Sequence, residues 1–208
     1  MITGGEESIN VALIEVWNIT SAIVVSDVMV KAADVRIAGL EINHLGAIVI
    51  KAVGDTAAVH AALDAGRVEA DRFGVTVGSS VIPAYSAEAR RLIHCEPQIL
   101  GLLHSRAQVL PRHRETVPQR TSIGLLETRG YVPALAAFDE MLKTAPSTYL
   151  SHEKIGAAHV AVIVAGEVSA VEASIDAGKK AGNQFDAILA THVLPSPDPL
   201  IMELFPGA

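Results

Sequence analysis

The chain has 208 residues, a formal net charge of −7 and a hydrophobic share of 50%, of which little is aromatic. That length holds one large domain or two small ones, with enough small branched side chains to pack thin layers of helix on sheet. The negative charge argues against general affinity for nucleic acid or an anionic membrane; the single cysteine, Cys95, excludes an intrachain disulfide and fits a reducing compartment.

No apolar run approaches the roughly 18 residues that span a bilayer. The opening stretch MITGGEESIN lacks the basic start of a secretory signal. The expectation is a soluble, cytosolic, globular protein.

In chain order, VALIEV (11–16) reads as a strand, and TSAIVVSDVMVKAA (20–33) as a helix despite its β-branched residues. In the latter, Ser26, Asp27 and Lys31 fall at helical spacing. A short strand and a loop, EINHLG (41–46), follow, then a strand buried on both faces, AIVIKAV (47–53). GDTAAVHAALDAG (54–66) reads as a helix with Asp55 as N-cap and Gly66 as a left-handed C-cap. A last strand ends in SVIPAY (80–85).

The same series then recurs 112 residues later. Glu15 falls on Glu127, Asp27 on Asp139, Met29 on Met141, Lys31 on Lys143, Glu41 on Glu153, Phe73 on Phe185 and Pro83 on Pro195. Positions 11–85 match 123–197 without a gap at 18 of 75 pairs, against about 6% expected from ordinary residue usage. IGLLET (123–128) is the second first strand. VPALAAFDEMLKTA (132–145) is a plainer helix, with Pro133 in its first turn and Pro146 past its end. EKIGAA (153–158) is the loop, HVAVIVA (159–165) the buried strand, and GEVSAVEASIDAG (166–178) the helix, with Glu167 a poorer cap and Gly178 the C-cap. Strand, helix, strand, strand, helix, strand is an α+β sandwich of the split βαβ type, present twice. The expected division is a first domain at 8–96, a locally basic linker at 97–120 and a second domain at 121–208.

Chemistry is sparse. There is no phosphate loop, no HExxH and no Cys or His cluster at metal spacing, so no enzyme, cofactor or metal site is expected. Glu15 and Glu127 recur at a strand end. Their simplest reading is structural, each capping a local backbone turn, rather than a catalytic pair. A duplicated α/β sandwich that binds a small molecule as a sensor is the alternative that fold alone leaves open.

LLETRGYVPALAAFDEMLKTA, HEKIGAAHVAVIVAGEVSAVEASIDAG and HVLPSP together resemble the shell domain of bacterial microcompartments. The first copy matches in the same register, and the two cover about four-fifths of the chain. The resemblance implies two tandem copies of a ferredoxin-like, BMC-type βαββαβ domain, of the tandem, unpermuted class. It implies a homotrimer that imitates a hexamer, either single or stacked face to face in pairs, and tiles a shell in the bacterial cytoplasm beside other shell proteins. By the same resemblance, small metabolites cross a central pore lined by Asn43, His44, Leu45 and Gly46 from one copy and Ile155, Gly156, Ala157 and Ala158 from the other.

His44 is the titratable group of those loops. A rim histidine bonded to its neighbour is its simplest reading, with metal binding or proton gating at a three-fold axis as the alternative. Lys31 and Lys143 match the family's tile-edge lysine. The family's tiling arginine is absent, its places held by Ala84 and Ser196, which implies weaker self-tiling. Cys95 lies outside both loops and reads as a buried thiol, not a cluster ligand.

Overall fold

The computed structural model describes residues 10–42, 46–86, 89, 93 and 121–205. Asn43, His44, Leu45, Cys95 and the basic segment 97–120 lie outside the described residues.

The first unit runs β1 (Asn10–Trp17), α1 (Ile19–Ala32), β2 (Arg36–Ile42), β3 (Ala47–Gly54), α2 (Thr56–Phe73) and β4 (Thr76–Ile82). The second repeats it as β5 (Ser122–Arg129), α3 (Tyr131–Thr144), β6 (Thr148–Gly156), β7 (His159–Gly166), α4 (Val168–Asn183) and β8 (Ile188–Leu194), followed by a short α5 (Pro199–Met202). Both sheets are antiparallel, in the orders β2-β3-β1-β4 and β6-β7-β5-β8. This is the expected split βαβ sandwich, made twice. The repeat extends to register: Glu15 lies opposite Val49 and Gly78, and Glu127 opposite the equivalent Ala161 and Ala190, with an irregularity just after each Glu.

Alternation along β5 divides its side chains between two cores. Leu126 joins Ala134, Ala137, Met141 and Val171 beneath α3 and α4. Ile123 and Leu125 point the other way, into a larger cluster that also holds the core of the first unit and Ile201. The central strand β5 is therefore buried on both faces, which explains its continuous apolar run. Helix α1 forms despite its Val and Ile residues because it is buried nearly all round, packed on α2 and on β5, β8 and α5 of the second unit.

Two sequence expectations are corrected here. Gly66 and Gly178 do not cap helices: α2 continues to Phe73, where Gly74 (φ 66°) is the left-handed cap, and α4 continues to Asn183. Both glycines instead permit close helix contact. A Cβ on Gly66 would lie 2.8 Å from Met29 Cγ, and one on Gly178 would lie 2.6 Å from Met141 Cγ. The repeated Met and the repeated Gly are partners in one packing contact. The second correction concerns 153–158, where β6 persists to Gly156 and leaves only Ala157 and Ala158 as the loop. Asp55 and Glu167 do cap their helices, accepting from Ala58 N at 2.7 Å and Ser169 N at 2.9 Å.

Replacing Gly178 with Ala raises helix propensity by about 1 kcal/mol, but overpacking a full core costs roughly 1–3 kcal/mol. We expect Gly178→Ala to lose about 1 kcal/mol in a denaturant titration. A stabilised variant would show that Met141 yields freely.

Candidate functional site: the seam that joins the two loops

In the second unit, Gly156 pairs with His159 across the hairpin Ala157-Ala158. Both alanines have positive φ (49° and 63°), and Gly156 has φ 90°. A two-residue hairpin with positive φ at both central positions is ordinarily built from Asn or Gly; each non-glycine residue held there costs roughly 1–2 kcal/mol. The loop is held by its neighbours: Ala158 O accepts from Gly130 N at 2.7 Å, at the start of α3. In the first unit, Gly46 O accepts from Asn18 N at 3.1 Å, the equivalent bond. Each loop is thus seated on the N-terminus of the first helix of its own unit.

The two loops also meet. Gly46 (φ 91°) lies against the His159 ring, since a Cβ there would be 3.1 Å from Nδ1. His159 Nδ1 is 3.2 Å from Glu127 Oε1. Glu127 Oε2 accepts from Ile19 N at 3.0 Å, Thr20 N at 3.2 Å and Thr20 Oγ1 at 3.3 Å. The expected local cap is therefore corrected. Glu127 lies on the sheet face turned away from its own helices, so it caps α1 of the other unit. It is fully buried, and burial pushes its carboxyl above the usual carboxylate range, against the opposing pull of the Thr20 amide and of His159.

The far end of α1 is tied across the same seam. Asp27 Oδ1 accepts from Asp198 N at 2.7 Å, and Lys31 Nζ donates to Ser196 O at 2.6 Å while pairing with Asp27. Phe73 meets the His192 ring edge-on, with centroids 5.7 Å apart.

Among the predicted loop residues, Gly46, Gly156, Ala157 and Ala158 are brought to this region. Ile155 is corrected: its side chain is 1% exposed and belongs to the core, so it anchors the loop. Asn43, His44 and Leu45 lie outside the described residues. Lys31 is bonded into the seam and part-exposed, whereas the more exposed Lys143 is held by Asp139 and Glu140 on its own helix. His159 was missed by sequence reasoning. Its signal was a break in the repeat, because the equivalent position holds Ala47. Among the described residues, no group of three or more His, Cys, Asp or Glu is placed to hold a metal, and no helix is long and apolar enough to cross a membrane.

Comparison with known families finds the BMC domain twice, at residues 10–85 and 122–197. This chain belongs to the BMC-domain family. The bacterial microcompartment shell protein PduA of Citrobacter freundii is 39% identical over 88 residues, covering 42% of this chain and 95% of that protein. The carboxysome assembly protein CcmO of Synechococcus elongatus is 29% identical over 181 residues, which is 87% of this chain but 63% of CcmO. A solved microcompartment protein from Desulfitobacterium hafniense covers 92% of this chain and 96% of its own at 22% identity, with a TM-score of 0.39. The seam is therefore a contact between two BMC domains, and the loops it joins are the two that the family resemblance singles out.

Two predictions follow from the seam's chemistry. Glu127→Ala leaves the amides of Ile19 and Thr20 without an acceptor in a buried site, and we expect a loss of roughly 3 kcal/mol in chemical denaturation. A carboxyl with a raised folded pKa holds its proton more tightly in the fold. Its contribution is fully present below about pH 4.5 and fades as pH rises through the folded value. The stability of the natural chain relative to Glu127→Gln should thus fall as pH rises above about 4.5; a flat difference would show that burial does not govern Glu127. Separately, Ala158→Gly should raise the unfolding free energy in a denaturant titration by up to about 1 kcal/mol, by relieving positive φ.

Proposed function

We propose that this protein is a structural component of a bacterial microcompartment shell, not an enzyme, and that it works as a homotrimer of six BMC domains around a central opening. The observation that supports this most is the seam, which holds two BMC domains in one fixed relation with Gly46 of one loop against His159 beside the other. A ring of three such chains carries six loops to one axis, and closed cyclic symmetry is the common solution for repeated heterologous contacts.

In this reading Asn43, His44, Leu45 and Gly46 alternate with Gly156, Ala157 and Ala158 around the opening. The lining is short, largely apolar and without a fixed charge, which suits small neutral metabolites. The trimer lies among other shell proteins in the bacterial cytoplasm, with Lys31 and Lys143 near the tile edges. The shell role accords with the names of the relatives PduA and CcmO.

Native mass by light scattering behind a sizing column tests the assembly. We expect three times the 21.8 kDa chain, or six times if trimers stack. A monomer or a simple dimer at micromolar concentration would overturn it, because no ring would exist to line.

A further inference from the structure

The two joined loops are not held alike. His159 stands beside the second domain's hairpin, and the matching position beside the first domain's loop is Ala47. The imidazole is therefore an addition to one copy, and it sits where the two domains meet.

Backbone pairing fixes where the ring begins. His159 pairs with Arg129 on one side and Gly156 on the other, so the ring moves only by its own side-chain torsions. Its Nδ1 edge is enclosed. Glu127 Oε1 lies 3.2 Å from Nδ1, and Gly46 closes over the same edge so tightly that a Cβ there would be 3.1 Å from Nδ1 and 3.2 Å from Cε1. The His159 side chain is 17% exposed, which leaves protons a path from solvent.

The donors on Glu127 decide where its own proton can go. Oε2 already accepts from Ile19 N, Thr20 N and Thr20 Oγ1. A proton on the carboxyl therefore sits on Oε1, on the line to Nδ1. That line holds one hydrogen. When the carboxylate is ionised, Nδ1–H donates to Oε1, whether the ring is neutral or charged. When both groups are neutral, Oε1–H donates to Nδ1. When both are protonated, two hydrogens face each other and the bond is lost.

We propose that His159 and Glu127 form a proton-sensitive seat for the first domain's loop: protonation of both groups parts them, and the ring, turning away, displaces Gly46. Burial holds the Glu127 carboxyl above its usual range, which brings this step into mild acid. The other charged groups nearby are engaged or open to water. Arg129 on β5 and Asp186 just before β8 are exposed. On β6, Lys154 holds Nζ over the Tyr131 ring, 5.2 Å from its centroid, and Glu153 accepts from Ser151. The first turns of α1 and α3 carry no acidic residue. The seat lies within one chain and stands apart from the trimer reading; only its bearing on a central opening rests on that reading.

Trp17 is the single tryptophan, half exposed, and it precedes Asn18, whose amide donates to Gly46 O at 3.1 Å. Its emission therefore reports on the seat. In the full chain titrated from about pH 8 to about pH 4, where histidines and raised carboxyls change charge, we expect a reversible shift of Trp17 emission while far-ultraviolet circular dichroism stays constant. His159→Ala, which copies Ala47, should lose the shift. His159→Gln keeps a donor for Oε1 but does not titrate, and should lose it too. Glu127→Gln should move the midpoint. His44→Ala, which removes the titratable side chain of the first loop, should keep the shift.

No shift in the natural chain, or one that survives His159→Gln, overturns the seat. An unmoved midpoint in Glu127→Gln overturns the pairing, and loss in His44→Ala assigns the titration to His44 instead. Light scattering on the same samples reads assembly separately. A single chain that shows the shift keeps the seat and loses the trimer, and a trimer without the shift does the reverse.

Discussion

The arrangement of the molecule depends on one buried carboxylate. Glu127 binds the first two amides of α1, the Thr20 hydroxyl and His159, and so connects the second domain's central strand to the first domain's leading helix. A carboxylate at a helix N-terminus gains from both the free amides and the aligned peptide dipoles. Burial opposes this by disfavouring the charge, and the raised carboxyl pKa records the balance. The seam is thereby directional: a displacement of α1 would leave amides and a carboxyl buried without partners, a penalty that apolar packing alone would not impose.

The apolar part of the seam supplies area, and the polar part supplies position. Ile201 and Phe205 share one cluster with Ile19, Ile23 and the core of the first domain. Such contacts tolerate sliding. Asp27, Lys31, Asp198 and Ser196 at the far end of α1 do not, since their bonds fix the helix along its axis. With Glu127 at one end and this set at the other, α1 is held at both termini. Gly46 and Ala158, bonded to the backbone at the N-termini of α1 and α3, inherit that precision.

Duplication within one chain makes this economical. A chain that carries the domain twice fixes one contact between the two copies covalently in register. The copies diverge where that contact places them in different surroundings. His159 against Ala47, and Asn18 against Gly130, are such divergences, and each lies at the seam or at a helix cap rather than in the core. Met29 with Gly66 and Met141 with Gly178 stayed alike because each pair fills the same helix–helix contact in its own domain.

The repeat, the order of strands and helices and the buried central strands were legible in the sequence, because periodicity and turn residues are local signals and the second copy confirms the first. The glycines were legible as special but not as to why. A left-handed cap and a close helix contact both call for glycine, and only the position of Met29 or Met141 distinguishes them. The destination of Glu127 was also hidden. Strand alternation decides that it faces away from its own helices, but what lies beyond that face depends on how the two domains pack. Ile155 was assigned to a loop by its neighbours and to the core by the length of β6. The sequence by itself determined two like domains and the elements of each. Only the tertiary structure decided which face of one meets which face of the other, since that choice is made by residues 107 or 108 positions apart, for which no periodicity exists.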